Sequence, residues 1–248
     1  MKKKRDAGYN ERLFSGGVRG RLHGSRFVWL QESLRRVHAA CDRVLELGCF
    51  DGRSLSYLPR KPRVYLGLDA NWEGGIDLGR SRWREDPAVR FELCEQPTDL
   101  RARVESQRFD TALCLETLEH LAPGTAASYV EEIARVTTGH FIVTVPNEKG
   151  PVFLVKYVVK RLFGDYFRYR PIEVWGAFIG RMDLVERDDH KGFDYESIIR
   201  LVGSHFDLVE VSGYPFRRLP KWAKFGVGIV GKARRPGGEP AAVMERSG

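Results

Sequence analysis

Glu46, Gly48 and Gly52 stand at the end of an apolar run, "VLELGCFDGRSL" (44–55), and Asp69 lies 21 residues beyond Gly48. Two glycines bracketing a turn let a ligand approach bare backbone, because glycine has no Cβ and accepts positive φ. A carboxylate about 20 residues further on is where a nucleoside site places the acid that accepts both ribose hydroxyls. Each such charge-assisted bond contributes on the order of 1.5–3 kcal/mol. Two histidines are candidates for proton transfer: His120 in "LETLEHL", and His190 behind Asp188 and Asp189 in "DDHKGFDY". A histidine that takes the proton of an acceptor hydroxyl contributes about 10²–10⁴-fold, and the two preceding acids would orient His190 and raise its pKa.

These residues need elements to hold them. Residues 43–47 read as a buried strand, with a helix expected from Arg53 onward. "RVYLGLDAN" (63–71) is a second strand ending in an acid, "VRFELCE" (89–95) a third, and "FDTALCLETLEHL" (109–121) a fourth that runs into a short turn. "YVEEIARVTTGHFIVTVPN" (129–147) reads as an amphipathic helix, a stop at Gly139, and a fifth strand closed by Pro146. Residues 195–216 supply a further helix and strand, and 224–235 a last strand with a basic end. Ahead of all of these, Phe27, Leu30, Leu34 and Val37 fall at helical spacing within 25–40.

Strands alternating with helical segments predict an α/β, Rossmann-like, mostly parallel sheet with helices on both faces. The last two strands have no clear helix between them, which predicts an antiparallel last strand. In an open parallel sheet, ligands bind beyond the carboxyl ends of the strands. Those ends gather Glu46 to Gly52, Asp69 to Trp72, Cys94 and Glu95, Leu115 to His120, and Pro146 with Asn147. Expected boundaries are a basic helical cap over 1–40, one domain over 41–235 with an insertion at about 148–192, and a disordered tail over 236–248.

At 248 residues with 42% hydrophobic content, the chain can bury a sizeable core, and a wholly disordered protein is excluded. Cys41, Cys49, Cys94 and Cys114 lie far apart without a CxxC or Cys/His spacing, so no metal site and no disulfide is predicted. "MKKKRD" lacks the apolar segment of a signal peptide, and no apolar run reaches the ~18 residues of a membrane span, so a cytoplasmic protein is expected. The net charge of +8 is uneven. Residues 1–40 hold ten Lys/Arg against three acids, and residues 213–235 hold seven against none. Such segregation predicts an anionic partner met by the two ends, with the inner membrane face as one such surface.

Two nucleoside cofactors compete for the glycine turn. A dinucleotide fingerprint needs GxGxxG, whereas here Phe50 occupies a position that motif gives to glycine. Glu46 also has the wrong sign to greet a pyrophosphate, and suits a cofactor with an ammonium group and no phosphate, such as S-adenosylmethionine. Taken in order, "VLELGCFDG", "GLDAN", "FDTALCLETLEHL" and "HFIVTVPN" resemble the successive motifs of class I S-adenosylmethionine-dependent methyltransferases over about 40–148, and more loosely to about 232. The "LETLEHL" stretch is similar to the branch that modifies small molecules. A fainter likeness, to methyltransferases of bacterial surface-glycan clusters, comes from "YNERLFSGGVRGRLHGSRFVWL" and "GFDYESI".

The resemblance implies a seven-stranded sheet and S-adenosylmethionine as cofactor, with Glu46, Gly48, Cys49 and Gly52 at its methionine end. It implies Asp69 on the ribose, Asn71 or Trp72 beside the adenine, and Leu115 and Glu116 flanking the sulfonium. Cys94 and Glu95 stand where such families often have a Gly-Asp pair near the adenine, a departure in this chain. The expected reaction is O-methylation of a small-molecule, sugar or glycan acceptor, lipid-linked forms included. An RNA or protein methyltransferase and a catalytically silent cofactor-binding partner are the alternatives, nucleic acid being disfavoured because no RNA-binding module is apparent. Residues 150–178, rich in aromatics, are expected to form a substrate lid after the fifth strand, with Lys156, Lys160 and Arg161 on one side of its first helix.

Overall fold

The computed structural model describes residues 17–162, 169–187, 191–220 and 223–234. Seven strands form one sheet in the order β3-β2-β1-β4-β5-β7-β6. The strands are β1 (Arg43–Leu47), β2 (Val64–Asp69), β3 (Val89–Leu93), β4 (Phe109–Leu115), β5 (Thr137–Pro146), β6 (Phe206–Tyr214) and β7 (Gly226–Ala233). The first five run parallel to one another; β7 lies antiparallel between β5 and β6, as the missing helix between the last strands predicts.

Seven α-helices are described: α1 (Gly17–Arg36), α2 (Gly75–Arg82), α3 (Pro97–Val104), α4 (Pro123–Val136), α5 (Pro151–Leu162), α6 (Pro171–Ile179) and α7 (Tyr195–His205). Successive strand residues point to opposite faces, and the core divides accordingly. Leu45, Leu47, Leu66, Leu68, Phe141 and Val143 pack with residues of α3, α4 and α7. On the other face Val44, Tyr65, Leu113 and Ile142 pack with Phe27, Leu30 and Leu34 of α1 and Ile76 of α2. The buried strands are near-continuous apolar runs because both of their faces are covered.

Two local expectations are corrected. No α-helix follows Arg53; the chain makes a 3-10 turn over Arg53–Tyr57 and then extends at Leu58 (φ −67°, ψ 145°). Pro59 explains the stop, since the residue before proline is pushed out of the α region. Gly139 does not end a helix either. The helix ends at Val136, and Gly139 lies inside β5, where the register with β4 shifts between Phe109 and Thr111. A Cβ at Gly139 would overlap the Asp110 carbonyl, so the glycine is needed for this irregular pairing.

Much of the C-terminal basic charge has internal work. Arg234 donates to the carbonyls of Gly203 (2.7 Å) and Ser204 (2.8 Å) at the end of α7, a favourable place for a cation. Arg217 lies over Trp29 at 5.1 Å and donates to Trp29 O and Ser33 Oγ, fastening α1 to the end of β6. Lys224 is buried.

Gly139→Ala is expected to lower stability by about 1–3 kcal/mol, the usual cost of forcing atoms into a packed site, read from the midpoint of urea unfolding. An unchanged midpoint would contradict the close approach to Asp110.

Candidate active site

Leu47 pairs with Leu68 on one side and with Cys114 on the other, so β2, β1 and β4 end side by side. The chain leaves β1 through Gly48–Gly52, leaves β2 at Asp69 and leaves β4 at Glu116. Strand order reverses here, with β1 flanked by β2 and β4, which is the switch point at which doubly wound sheets bind ligands.

The turn needs its glycines. Gly48 (φ +73°) and Gly52 (φ +68°) are left-handed, and so is Phe50 (φ +46°). A side chain at Gly48 would overlap Thr117, and one at Gly52 would overlap Phe91. The Phe50 backbone N–H donates to Asp69 Oδ2 at 3.0 Å, tying the turn to the end of β2. Burial raises the Asp69 carboxyl, while the N–H groups of Phe50, Asn71 and Trp72 pull it back.

Glu46 is buried on the face of the sheet shared with Tyr65. The Tyr65 hydroxyl donates to Glu46 Oε2 at 2.5 Å, and the Ser54 hydroxyl donates to the same oxygen. Burial pushes its carboxyl up to about 7 against these two hydrogen bonds. The buried carboxylate therefore anchors the 3-10 turn beneath the glycine loop.

The other sequence-derived residues divide clearly. Asn71 accepts the Ile76 N–H at 3.0 Å, which opens α2, and Trp72 beside it is 57% exposed. Cys49 is buried under the turn. Glu95 is exposed, its N–H held by Asp99 at 2.9 Å, whereas Cys94 is buried with its sulfur 3.7 Å from the Tyr129 hydroxyl. Leu115 is buried and its carbonyl accepts from Thr117 Oγ1 at 3.2 Å. Glu116 adopts φ +53°, an uncommon conformation for a residue other than glycine and one that concentrates at functional sites.

Tyr214, at the end of β6, donates its hydroxyl to Glu116 Oε1 at 2.5 Å. Glu119 is 1% exposed, and neither carboxylate oxygen has a hydrogen-bond partner. Burial first and the Glu116 charge second push its carboxyl well above the ordinary range, with Arg26 opposing. His120 stands next to it, exposed at the end of the 3-10 turn Leu118–His120. His190, with Asp188 and Asp189, lies outside the described residues.

Sequence reasoning missed Tyr214, Ser54 and Tyr65, and gave no role to Thr117 and Glu119 within the Leu115–His120 strand end. Glu119 had a signal, an acid three residues after Glu116 on one short turn. Tyr214 and Tyr65 reach their partners from other strands, so only the strand order reveals them.

The inserted segment joins the same end of the sheet. Lys156 of α5 donates to the carbonyls of Asn147 (2.8 Å) and Phe225 (3.2 Å) and pairs with Glu148 (3.1 Å). Of the three cations expected on one side of this helix, Lys156 points inward. Two open cavities, of about 340 and about 510 Å³, share Trp83 and Arg84 along the β3 side, away from the ends of β1 and β4. Strand-end geometry therefore locates the site better than cavity size. Among the described residues, no cluster of three or more His, Cys, Asp or Glu could hold a metal ion.

A phosphate-free nucleoside fits this donor set. Asp69 and Glu116 offer carboxylates at the strand ends on either side of β1, while Arg53 and Arg82 near the turn are drawn to Asp51 at 3.3 Å and 2.7 Å. A family model for the methyltransferase domain matches residues 44–139, from β1 to the start of β5. The chain carries a class I S-adenosylmethionine-dependent methyltransferase domain.

Relatives of this methyltransferase domain include the ubiquinone biosynthesis O-methyltransferase of Yersinia pestis (strain Pestoides F), 26% identical over 156 residues. The match covers 58% of this chain and 62% of that protein, so the chain spans about three fifths of the length of the curated relatives it matches. Magnesium protoporphyrin IX methyltransferase from Synechocystis PCC 6803, solved with bound SAH, superposes with a TM-score of 0.58 at 15% identity, covering 90% of this chain and 92% of that one. The small RNA methyltransferase HEN1 does so with a TM-score of 0.58 at 16% identity, over 88% of this chain and 26% of that one. At such identities the likeness shows the methyltransferase fold, and the named acceptors differ in class.

Because the folded Glu46 carboxyl titrates near 7 instead of near 4.5, the folded state holds a proton that the unfolded state releases. Stability carried by that proton is full below about pH 4.5 and lost as pH rises through about 7. Relative to Glu46→Gln, the unliganded protein should lose on the order of 3 kcal/mol between pH 4.5 and 8. Parallel curves of unfolding free energy against pH would contradict the assignment.

Proposed function

We propose that the methyltransferase domain O-methylates a small-molecule acceptor, with phenolic, sugar and glycan hydroxyls, lipid-linked forms included, as the candidate class. One observation carries the reading: Asp69 and Glu116 flank the Gly48 turn at level strand ends, beside an inserted pair of helices rich in apolar and aromatic side chains. The similarity to a ubiquinone biosynthesis O-methyltransferase supports a hydroxyl on a hydrophobic ring as acceptor.

S-adenosylmethionine supplies an electrophilic methyl group carried on a sulfonium. Asp69 would hold the ribose hydroxyls, Trp72 and Asn71 the adenine end, and the Gly48 turn with Glu116 the methionine end. Glu46, already bonded to Ser54 and Tyr65, supports that end from below and, once deprotonated, supplies negative charge toward an ammonium group. The protein contributes chiefly by holding the two reactants in line, an effect that accounts for up to ~7–11 kcal/mol of barrier. His120, at the mouth of the site, would take the acceptor proton. Helices α5 and α6 would cover an amphipathic acceptor. The setting this implies is a cytoplasmic enzyme working at the inner face of the membrane.

The test is transfer of labelled methyl from S-adenosylmethionine to a panel of catechols, sugar nucleotides and lipid-linked glycans, with RNA and protein as comparison. Methyl ethers should appear on at least one hydroxyl acceptor. His120→Ala should then lower turnover by about 10²–10⁴-fold with cofactor affinity unchanged. Full turnover in that variant would remove His120 as the base, and label entering only RNA or protein would overturn the small-molecule reading. Cofactor binding without transfer to any acceptor would favour a catalytically silent partner.

A further inference from the structure

Large apolar side chains are exposed unevenly on this protein. Of fourteen such residues among those described, seven lie on α5 and α6: Leu154, Val155, Val158 and Val159 on the first, Ile172, Trp175 and Ile179 on the second. Phe153 of α5 and Ala177 of α6 pack in one small core with Val185 from the segment after α6, so these seven are the side chains left over once the insertion has formed that core. Val155 is 62% exposed and Trp175 57%. Two further exposed residues, Phe216 (65%) and Leu219, follow the end of β6. They belong to the same end of the sheet, because Gly226 pairs with both Tyr214 and Pro146, and Lys156 of α5 bonds the Phe225 carbonyl.

Exposed cations border this surface, some of them paired with acids. The α5 sequence holds no acid, and its Arg161 is exposed, whereas Lys156 is turned inward. Exposed Arg218 stands between Phe216 and Leu219, and Arg170 and Arg181 at the two ends of α6 are exposed while paired with Glu173 and Glu186 and with Asp183. Aliphatic flanks, a tryptophan, and arginines at the helix ends make up the pattern of helices that lie in a bilayer interface, with apolar faces among the acyl chains and cations among anionic headgroups. Among the described residues no helix is long and apolar enough to cross a membrane, so contact through these helices would be peripheral.

We propose that the outer face of α5 and α6, together with Phe216 and Leu219, docks on an anionic lipid bilayer and turns the carboxyl ends of the strands toward it. The docking deepens the function proposed above and rests on it for its purpose, which is to deliver an amphipathic acceptor from the lipid phase. The surface and its charge are independent of which acceptor is used.

The experiment is flotation of the full chain with vesicles of equimolar phosphatidylglycerol and phosphatidylcholine, against vesicles of phosphatidylcholine alone. The mass in solution is measured by light scattering alongside. The protein should float with the anionic vesicles and be monomeric without them. Val155→Glu combined with Val158→Glu, at two exposed positions, should reduce vesicle binding by about tenfold or more, and Arg161→Glu with Arg218→Glu should weaken it further. S-adenosylmethionine affinity should be unchanged in all of these variants. Equal binding to both vesicle types, or full binding by the valine variant, would overturn the proposal. A dimer that the valine variant dissociates, without flotation of the parent chain, would assign the face to a second copy instead. Loss of cofactor binding by the parent chain, with flotation intact, would count against the methyltransferase reading and leave the docking face standing.

Discussion

Leu47 is held by Leu68 on one side and by Cys114 on the other, and the site depends on that double pairing. Parallel strands in register end at the same level, so the turn after β1, the acid after β2 and the acid after β4 meet without further adjustment. A slip of one residue would turn Glu46 from the Tyr65 side into the core of Leu45 and Leu47, because side chains alternate between faces. The apolar pattern of β1 forbids that slip, since Leu45 and Leu47 are both buried in the cluster under α4. The core therefore fixes the register, and the register fixes the site.

Around that frame the protein gathers acids that are buried or, at Glu116, half-buried. Glu46 is satisfied by two hydroxyls. Glu116 takes the Tyr214 hydroxyl. Asp69 takes the backbone of the turn, and Glu119 has no hydrogen-bond partner at all. Burial of polar groups without partners is costly, and unsatisfied ones concentrate where a structure serves a ligand more than its own stability. The strained backbone at Glu116 falls in the same place. Stability is supplied elsewhere, by the helices on the two faces and by the Arg217 clasp that holds α1 to β6.

The strands were legible because buried parallel strands are nearly continuous apolar runs, and because glycines and acids mark their carboxyl ends. The antiparallel last strand was legible from the missing helix before it. Local detail was less so. The helix expected after Gly52 fails at Leu58-Pro59 after a single 3-10 turn. Gly139 looked like a helix stop when its real task is to clear a carbonyl on the neighbouring strand. The contacts of Lys156 were not legible, because the carbonyls of Asn147 and Phe225 that it bonds come from other parts of the chain. In the candidate site the same limit holds. Gly48, Asp69 and Glu116 carry their signal in spacing along the chain, whereas Tyr65, Tyr214 and Glu119 matter through burial and through partners on other strands. Sequence reasoning chose His120 for its side-chain chemistry, and burial is what draws attention to Glu119 next to it.

The central claim is that the β1–β4 switch point binds S-adenosylmethionine through the Gly48 turn and Asp69. Calorimetric titration with S-adenosylmethionine, S-adenosylhomocysteine and NAD, on the parent chain and on folded Asp69→Ala, tests it most directly. The account predicts binding of the first two, none of the third, and marked weakening in the variant. Unchanged affinity in a folded Asp69→Ala protein, or preference for NAD, would contradict it.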